Sequence, residues 1–145
     1  MLMDRAAIAD LIPHGSIMCM LDGLIRWDGE DIQCCSDRHR AADNPLLESG
    51  VLAGACLVEF CAQAAALHGA LLQHEMPGKT SAQVLYLGAV KQMQLHRQAI
   101  DRSLPTLQIF ARCAVASSGG SIYQIRAMAG TDLLLQGRIV LALPA

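Results

Sequence analysis

The sequence predicts an α+β domain in which a single layer of twisted antiparallel sheet wraps around one central helix. Three observations predict this fold: two β-like segments near the start, one long apolar helical segment, and then three or four further β-like segments. The 145 residues contain no Ser/Gly-rich linker and no internal repeat, so we expect a single domain over residues 1–145.

The first part of the chain is predicted to hold a short helix and a hairpin. Residues 4–12 can form an amphipathic helix that Pro13 stops, and residues 17–27 have the composition of a strand. The acidic and glycine residues at 28–31 indicate a turn. Residues 32–37 are then expected to form the second strand of the hairpin.

The middle of the chain is predicted to be an irregular loop followed by a long helix. Residues 38–53 contain Asn-Pro and Ser-Gly pairs and no sustained period, and long loops in compact domains are often functional. Residues 54–73 contain no proline, and their Ala, Leu and Gln content favours helix. After the stop signal Pro77-Gly78, the expected strands are 82–95, 106–116, 121–129 and 133–143, with turns at 117–120 and 130–132.

Composition excludes several classes of function. The chain is 53% hydrophobic and 17% charged, which excludes intrinsic disorder. It has 11 Lys and Arg against 13 Asp and Glu, a net charge of −2, and only 3% aromatic residues, so we expect no nucleic-acid partner. The excess of apolar residues instead suggests a subunit interface or a groove that binds an acyl chain.

The six cysteines are predicted to be reduced thiols. They lie in apolar segments without a Cys-x-x-Cys motif, and charged residues interrupt the N-terminus before a secretory signal can form. We therefore expect a cytoplasmic protein. No Cys/His spacing matches a zinc site, so no metal is expected.

One segment, residues 54–72, is long and apolar enough to be considered as a membrane span. It carries Glu59, Gln63 and His68, each of which is costly to bury in lipid. We expect a helix buried in protein and no membrane span.

Glu59 is the most informative residue of the sequence. It is the only carboxylate between Glu48 and Glu75, and its neighbours along the helix are apolar. A carboxyl group in an apolar site favours its protonated form and can donate a proton to a leaving hydroxyl. Gln63 lies one helical turn later and could orient Glu59. The alternative, that both side chains lie on a solvated stripe of the helix, stays open.

Two histidines and a glycine are the other candidate site residues. His39 follows the second predicted strand, where it could act as a general base, although on its own it fits a surface histidine between Arg38 and Arg40 better. His14 is a second candidate base or a structural turn residue. Gly54 is at the predicted start of the helix, where an unpaired N–H group could polarise a thioester carbonyl.

Three segments together resemble a known family. They are Leu11-Ile12-Pro13-His14 followed by residues 18–24, Asn44-Pro45, and residues 54–64 with Glu59 and Ala62-Gln63-Ala64. The segments are similar to the β-hydroxyacyl-acyl-carrier-protein dehydratases of the hotdog fold. The similarity is closer still to the divergent dehydratases of aryl polyene biosynthesis clusters, through Ile-Pro-His and residues 59–69. The chain departs from the family's motif in two ways. Arg40-Ala41 follows His39 where the family has Phe-Pro, and the loop between His39 and Gly54 is several residues longer.

The resemblance implies a hotdog fold and a reaction. The reaction is dehydration of a 3-hydroxyacyl thioester on an acyl carrier protein to the trans-2-enoyl thioester, in fatty acid or aryl polyene biosynthesis. It implies no cofactor or metal, because the thioester itself acidifies the α-proton. Two alternatives remain open: a hotdog acyl thioesterase, and a non-catalytic subunit of a dehydratase complex.

The resemblance also implies roles for individual residues. His39 matches the catalytic histidine, with His14 as the fallback; Glu59 matches its acidic partner and Gly54 the amide that polarises the carbonyl. Gln63 would hold Glu59 in the substrate site. Such enzymes are dimers whose sites combine both subunits, so we expect a homodimer or a pairing with another hotdog subunit.

Overall fold

The apolar helix at the middle of the sequence is the centre of the fold in a computed structural model, which describes residues 1–12, 15–75 and 86–142. The helices are α1 (Arg5–Leu11), α2 (Gly15–Met18) and α3 (Leu57–Glu75), with single 3₁₀ turns at Arg38–Arg40 and Gly54–Cys56. The strands are β1 (Met3–Asp4), β2 (Gly23–Trp27), β3 (Asp31–Ser36), β4 (Leu52–Ala53), β5 (Tyr86–Leu95), β6 (Ala99–Ile100), β7 (Leu107–Ser117), β8 (Gly120–Ala129) and β9 (Asp132–Ala142).

Seven of these strands form one antiparallel sheet in the order β1-β2-β3-β7-β8-β9-β5, and β4 pairs with β6 separately. The sheet wraps α3, so the predicted α+β fold is confirmed. The second strand of the predicted hairpin, the central helix and the last three strands are confirmed within a few residues. Residues 82–85 and 143 of the predicted strands lie outside the described residues.

The first predicted strand is wrong in its N-terminal half. Residues 15–18 form the short helix α2, and β2 begins only at Gly23. Side chains from other elements bind the backbone here: Arg5 donates to the carbonyls of Ser16 and Cys19, and Gln63 binds Met18 and Met20. With these groups satisfied by side chains, residues 16–20 need no partner strand.

Helix α1 begins and ends as its sequence predicts. The Asp4 side chain caps its first turn by accepting a hydrogen bond from Ala7 N at 2.9 Å. The helix ends at Leu11, two residues before Pro13. Its buried residue, Ile8, belongs to the hydrophobic core.

Helix α3 is buried on the side that faces the sheet. Inward residues of the strands cover it, among them Ile109 of β7 and Ile125 of β8. Small alanines allow the sheet to approach the helix closely. The buried residues of α3 are Leu57, Phe60, Cys61, Ala62, Gln63, Ala64, Ala65, Leu67 and His68.

The segment Gly54–Glu75 is long and apolar enough to cross a membrane by length and composition, with a mean hydropathy of 1.5. Half of its most apolar stretch is buried inside the protein. Contact with the inner face of the sheet accounts for this apolar character, as expected for a core helix.

All six cysteines are free thiols in the structure. Burial raises the pKa of the Cys34 thiol to about 12 and raises that of Cys61 further above its usual range. Such thiols stay protonated near neutral pH and are poor nucleophiles.

Candidate functional site

The centre of the candidate site is a carboxylate held by an amide on α3. Glu59 is half-buried, and Gln63 one turn later is fully buried. Gln63 Nε2 donates a hydrogen bond to Glu59 Oε1 at 2.9 Å. The structure therefore brings together the two residues that the sequence paired, and Gln63 does not lie on a solvated stripe.

The Gln63 amide also holds the chain that precedes β2. Its Nε2 donates to Met18 O at 2.8 Å, and its Oε1 accepts from Met20 N at 2.7 Å. Both hydrogens of the amide nitrogen are thus used inside the protein. Gln63 is a positioning residue for Glu59 in this arrangement, not a direct contact for a substrate.

A hydrogen-bonded path leads from this amide to the turn that carries His39. Ser36 Oγ donates to Met20 O and accepts from Arg38 N at 3.1 Å. Ser36 is fully buried at the inward-facing end of β3, and His39 follows directly after Arg38. These hydrogen bonds connect the His39 turn to the segment that Gln63 holds.

His39 lies where the sequence predicted, in the 3₁₀ turn just after β3, but it is only 1% exposed. Its Nε2 donates to Leu104 O at 2.9 Å, since a carbonyl can only accept. In the neutral tautomer that this contact requires, the lone pair is on Nδ1, which is buried and has no hydrogen-bond partner among the described residues. The alternative of a surface histidine is wrong, and an unused lone pair is what a general base requires.

The expectation of an unpaired amide at Gly54 is wrong. Gly54 N donates to Gln98 O at 2.8 Å, because the pairing of β4 with β6 continues by one residue. A Cβ atom at Gly54 would lie 1.8 Å from Arg97 O. Glycine is needed here so that the start of the helix can approach this backbone, and its N–H is not available to a thioester in this arrangement.

His68 is a structural residue of the core. Its Nε2 donates to Asp28 O at 2.8 Å, so its Nδ1 accepts from the Tyr123 hydroxyl at 2.6 Å. Burial lowers the pKa of His68, so the neutral ring is favoured. His14 lies outside the described residues.

Ser36 and the Leu104 carbonyl were missed by sequence reasoning. Ser36 had a detectable signal, because it is polar at an inward position where β3 otherwise places Ile32 and Cys34. The Leu104 contact had none, because a backbone carbonyl 65 residues away leaves no mark in composition or spacing.

Comparison with solved structures shows the hotdog fold. A chain of the dehydratase heterocomplex ApeI:P from Xenorhabdus doucetiae matches with a TM-score of 0.84 and 19% identity, over 95% of this chain and 91% of that chain. A mutant thioesterase from Pseudomonas aeruginosa matches with a TM-score of 0.60 and 15% identity, over 84% and 81%. The E. coli PaaI protein from the phenylacetic acid degradation operon matches at 0.59 and 13%, over 83% and 81%.

Comparison of the sequence with family models and curated proteins gives one match. None of the curated proteins matches the chain. The model of the ApeP-like family, described as ApeP dehydratase, matches residues 6–145. This match spans almost the whole chain and agrees with the resemblance seen in the first half of the sequence. The protein therefore belongs to the ApeP-like dehydratase family.

Proposed function

We propose that the chain dehydrates a 3-hydroxyacyl thioester, carried on an acyl carrier protein, to the trans-2-enoyl thioester in aryl polyene or fatty acid biosynthesis. The proposal rests on the hydrogen bond by which the buried Gln63 holds Glu59 on the central helix. The chain's membership of a dehydratase family supports it. We also propose a cytoplasmic location, which the six free thiols support.

In the proposed reaction, two side chains divide the chemistry. His39 Nδ1 removes the α-proton, which the thioester carbonyl acidifies, and Glu59 in its protonated form gives its proton to the departing β-hydroxyl. The C–H bond at the α-carbon and the C–O bond at the β-carbon break, a C=C bond forms, and water leaves. Glu59 ends as a carboxylate and His39 as an imidazolium, and solvent returns both to their starting forms. The hydrogen bond from Gln63 keeps Glu59 in one orientation throughout.

We further propose that a second hotdog subunit, either a copy or a different chain, pairs with β5. This strand is an edge of the sheet, and Leu87 and Val90 on it are 42% and 45% exposed. Free edges with apolar side chains tend to pair with another strand. The similar structure from Xenorhabdus is named as a heterocomplex, which supports such an assembly. His39 of one subunit would then serve the same site as Glu59 of the other.

Substitution of Glu59 by Gln tests the reaction. A 3-hydroxyacyl thioester on acyl carrier protein is supplied, and enoyl absorbance and free thiol are measured separately. We expect Glu59→Gln to lower the rate of enoyl formation by about 100-fold or more, because an amide cannot donate the acidic proton. Glu75→Gln, at the exposed end of the same helix, is the matched control and keeps the normal rate. Normal dehydration by a folded Glu59→Gln variant would contradict the proposal.

The same assay separates the two other functions. Release of free thiol without enoyl product would indicate a thioesterase, a class that shares the fold. A non-catalytic role is the second candidate, because the occupied N–H of Gly54 is not available to polarise a thioester. It predicts that the chain activates a second hotdog subunit equally well with or without the Glu59→Gln and His39→Gln substitutions.

A further inference from the structure

The outer face of the sheet, which points away from α3, contains an open trough of about 640 Å³. Side chains of six adjacent strands line it, in the sheet order β2-β3-β7-β8-β9-β5. Because neighbouring strands are about 4.8 Å apart, the trough runs for roughly 24 Å across them. Burial alternates along β8: Tyr123 and Ile125 face the core, whereas Gln124 and Arg126 face the trough. The trough is thus separate from the Glu59 site on the helix side of the sheet.

Cations are concentrated at the centre of this trough. The strand register places Gln124 opposite both Arg112 of β7 and Arg138 of β9, and Arg126 is two residues further along β8 on the same face. Three arginines therefore occupy positions next to Gln124 on this face of the sheet. The arginines of the trough are Arg26, Arg112, Arg126 and Arg138.

In the part of the chain that the structure describes, the carboxylates that pair with an arginine of the trough lie at one end of it. Arg112 pairs with Glu30 at 2.8 Å and with Asp31 at 3.4 Å, beside the turn between β2 and β3. Asp31 is the only carboxylate that lines the described trough. Towards β5 the next cross-strand partner of Arg138 is Lys91, another cation. A chain with a net charge of −2 thus has a local excess of positive charge on this face.

The arrangement of groups in the trough suits a peptide that carries carboxylates. The guanidinium carbon of Arg126 lies over the Phe110 ring, 4.0 Å from its centroid, and this cation–π contact leaves the N–H groups to bind a planar anion. Glutamine side chains between the cations, such as Gln124 and Gln136, offer both donors and acceptors to amide groups. A second copy of this chain would oppose the same arginines to themselves, which like-charge repulsion disfavours.

We propose that the trough docks an acidic segment of a partner protein, with carboxylates spaced along its length. This partner is independent of the thioester reaction, because the trough is on the opposite face of the sheet. A helix of about 16 residues matches its length, at 1.5 Å per residue.

The probe for this proposal is a labelled 16-residue helical peptide with glutamates along one face. It is titrated into the full chain and followed by fluorescence anisotropy at low and at physiological salt. We expect the double variant Arg126→Gln/Arg138→Gln to weaken binding by about tenfold or more and to reduce the salt dependence. The double variant Arg97→Gln/Arg102→Gln removes the same charge from exposed positions outside the trough and should keep the wild-type affinity within about twofold.

Five results would overturn the proposal. The first three are equal affinity of the two double variants, no binding of the peptide to the wild type at low salt, and equal binding of a peptide with Gln in place of Glu. The fourth is a single-stranded oligonucleotide of the same charge that binds as tightly, which would indicate a general polyanion surface. An oligomer that dissociates only in Arg126→Gln/Arg138→Gln would show that a second copy covers the face and would equally contradict an acidic partner. Thermal unfolding of each variant confirms that it is folded.

Discussion

At the scale of single residues, His68 shows how burial decides the state of a titratable group. The ring is fully buried, contacts Trp27 and Tyr123 edge-on, and uses both nitrogens in hydrogen bonds. Burial lowers its pKa below the usual 6.5, because the charged ring would lose its hydration. The unfolded chain therefore binds a proton at a pH where the folded chain does not.

This difference predicts that the protein loses stability in mild acid. Above about pH 6.5 both states hold a neutral His68, and as the pH falls below that value the unfolded state gains the proton first, so stability falls. The slope from this one residue is at most about 1.4 kcal/mol per pH unit. Thermal unfolding at several pH values between 7.5 and 5 measures it.

The His68→Gln variant should flatten this pH dependence, whatever its effect on stability at neutral pH. His74→Gln, at the exposed end of α3, is the control and should keep the wild-type slope. If His68→Gln and the wild type lose stability in parallel, His68 is not the source of the pH dependence.

At the scale of elements, the start of α3 depends on a close approach to the segment after β5. Gly54 donates to Gln98 O, and a Cβ atom would meet Arg97 O and the side chain of Leu95. Backbone cannot move aside as a flexible side chain can, so the helix start would have to shift.

We therefore expect Gly54→Ala to lower the free energy of unfolding by about 1–3 kcal/mol, as overpacked sites do. Gly29→Ala is the matched control, because no atom lies within 4 Å of its added methyl, and its effect should stay below about 0.5 kcal/mol. Urea unfolding of both variants compares the two costs. Equal unfolding midpoints for both variants would show that the helix start adapts.

At the scale of the whole molecule, α3 covers one face of the sheet, whereas the edge strand β5 has no neighbouring strand on its outer side among the described residues. The strand presents Leu87, Val90 and unpaired backbone groups at an edge of the sheet. The proposed pairing with a second subunit would bury these groups and bring two candidate sites together.

The double variant Leu87→Lys/Val90→Lys should convert the proposed dimer to a monomer, because charged edge strands resist pairing. Val115→Lys is the control, since Val115 is 52% exposed on β7 and away from this edge. Sedimentation velocity measures the mass of each variant. A wild type that is monomeric, or a dimer that survives in the double variant, would contradict pairing through β5.

Sequence patterns were enough to predict the family, the long helix, the main strands and the Glu59–Gln63 pair, but not α2, β1, β4 or β6. Local patterns suffice for these: the Asp4 cap, the apolar segment of α3, the turn residues of the last hairpins, and the motif around Glu59. Even the pairing of Glu59 with Gln63 follows from helical spacing alone.

Long-range contacts of the folded chain determine how the site is connected and which groups remain available. Gln63 reaches Met18 across 45 positions, and Ser36 reaches Met20 across 16. Gly54 N donates to Gln98 O, and His39 Nε2 to Leu104 O. These contacts join segments that are distant in sequence, and many acceptors are backbone carbonyls, which every residue carries. Because such groups have no signature in residue type or spacing, only the folded chain shows that the Gly54 amide is occupied and that His39 Nδ1 has no partner within residues 1–12, 15–75 and 86–142.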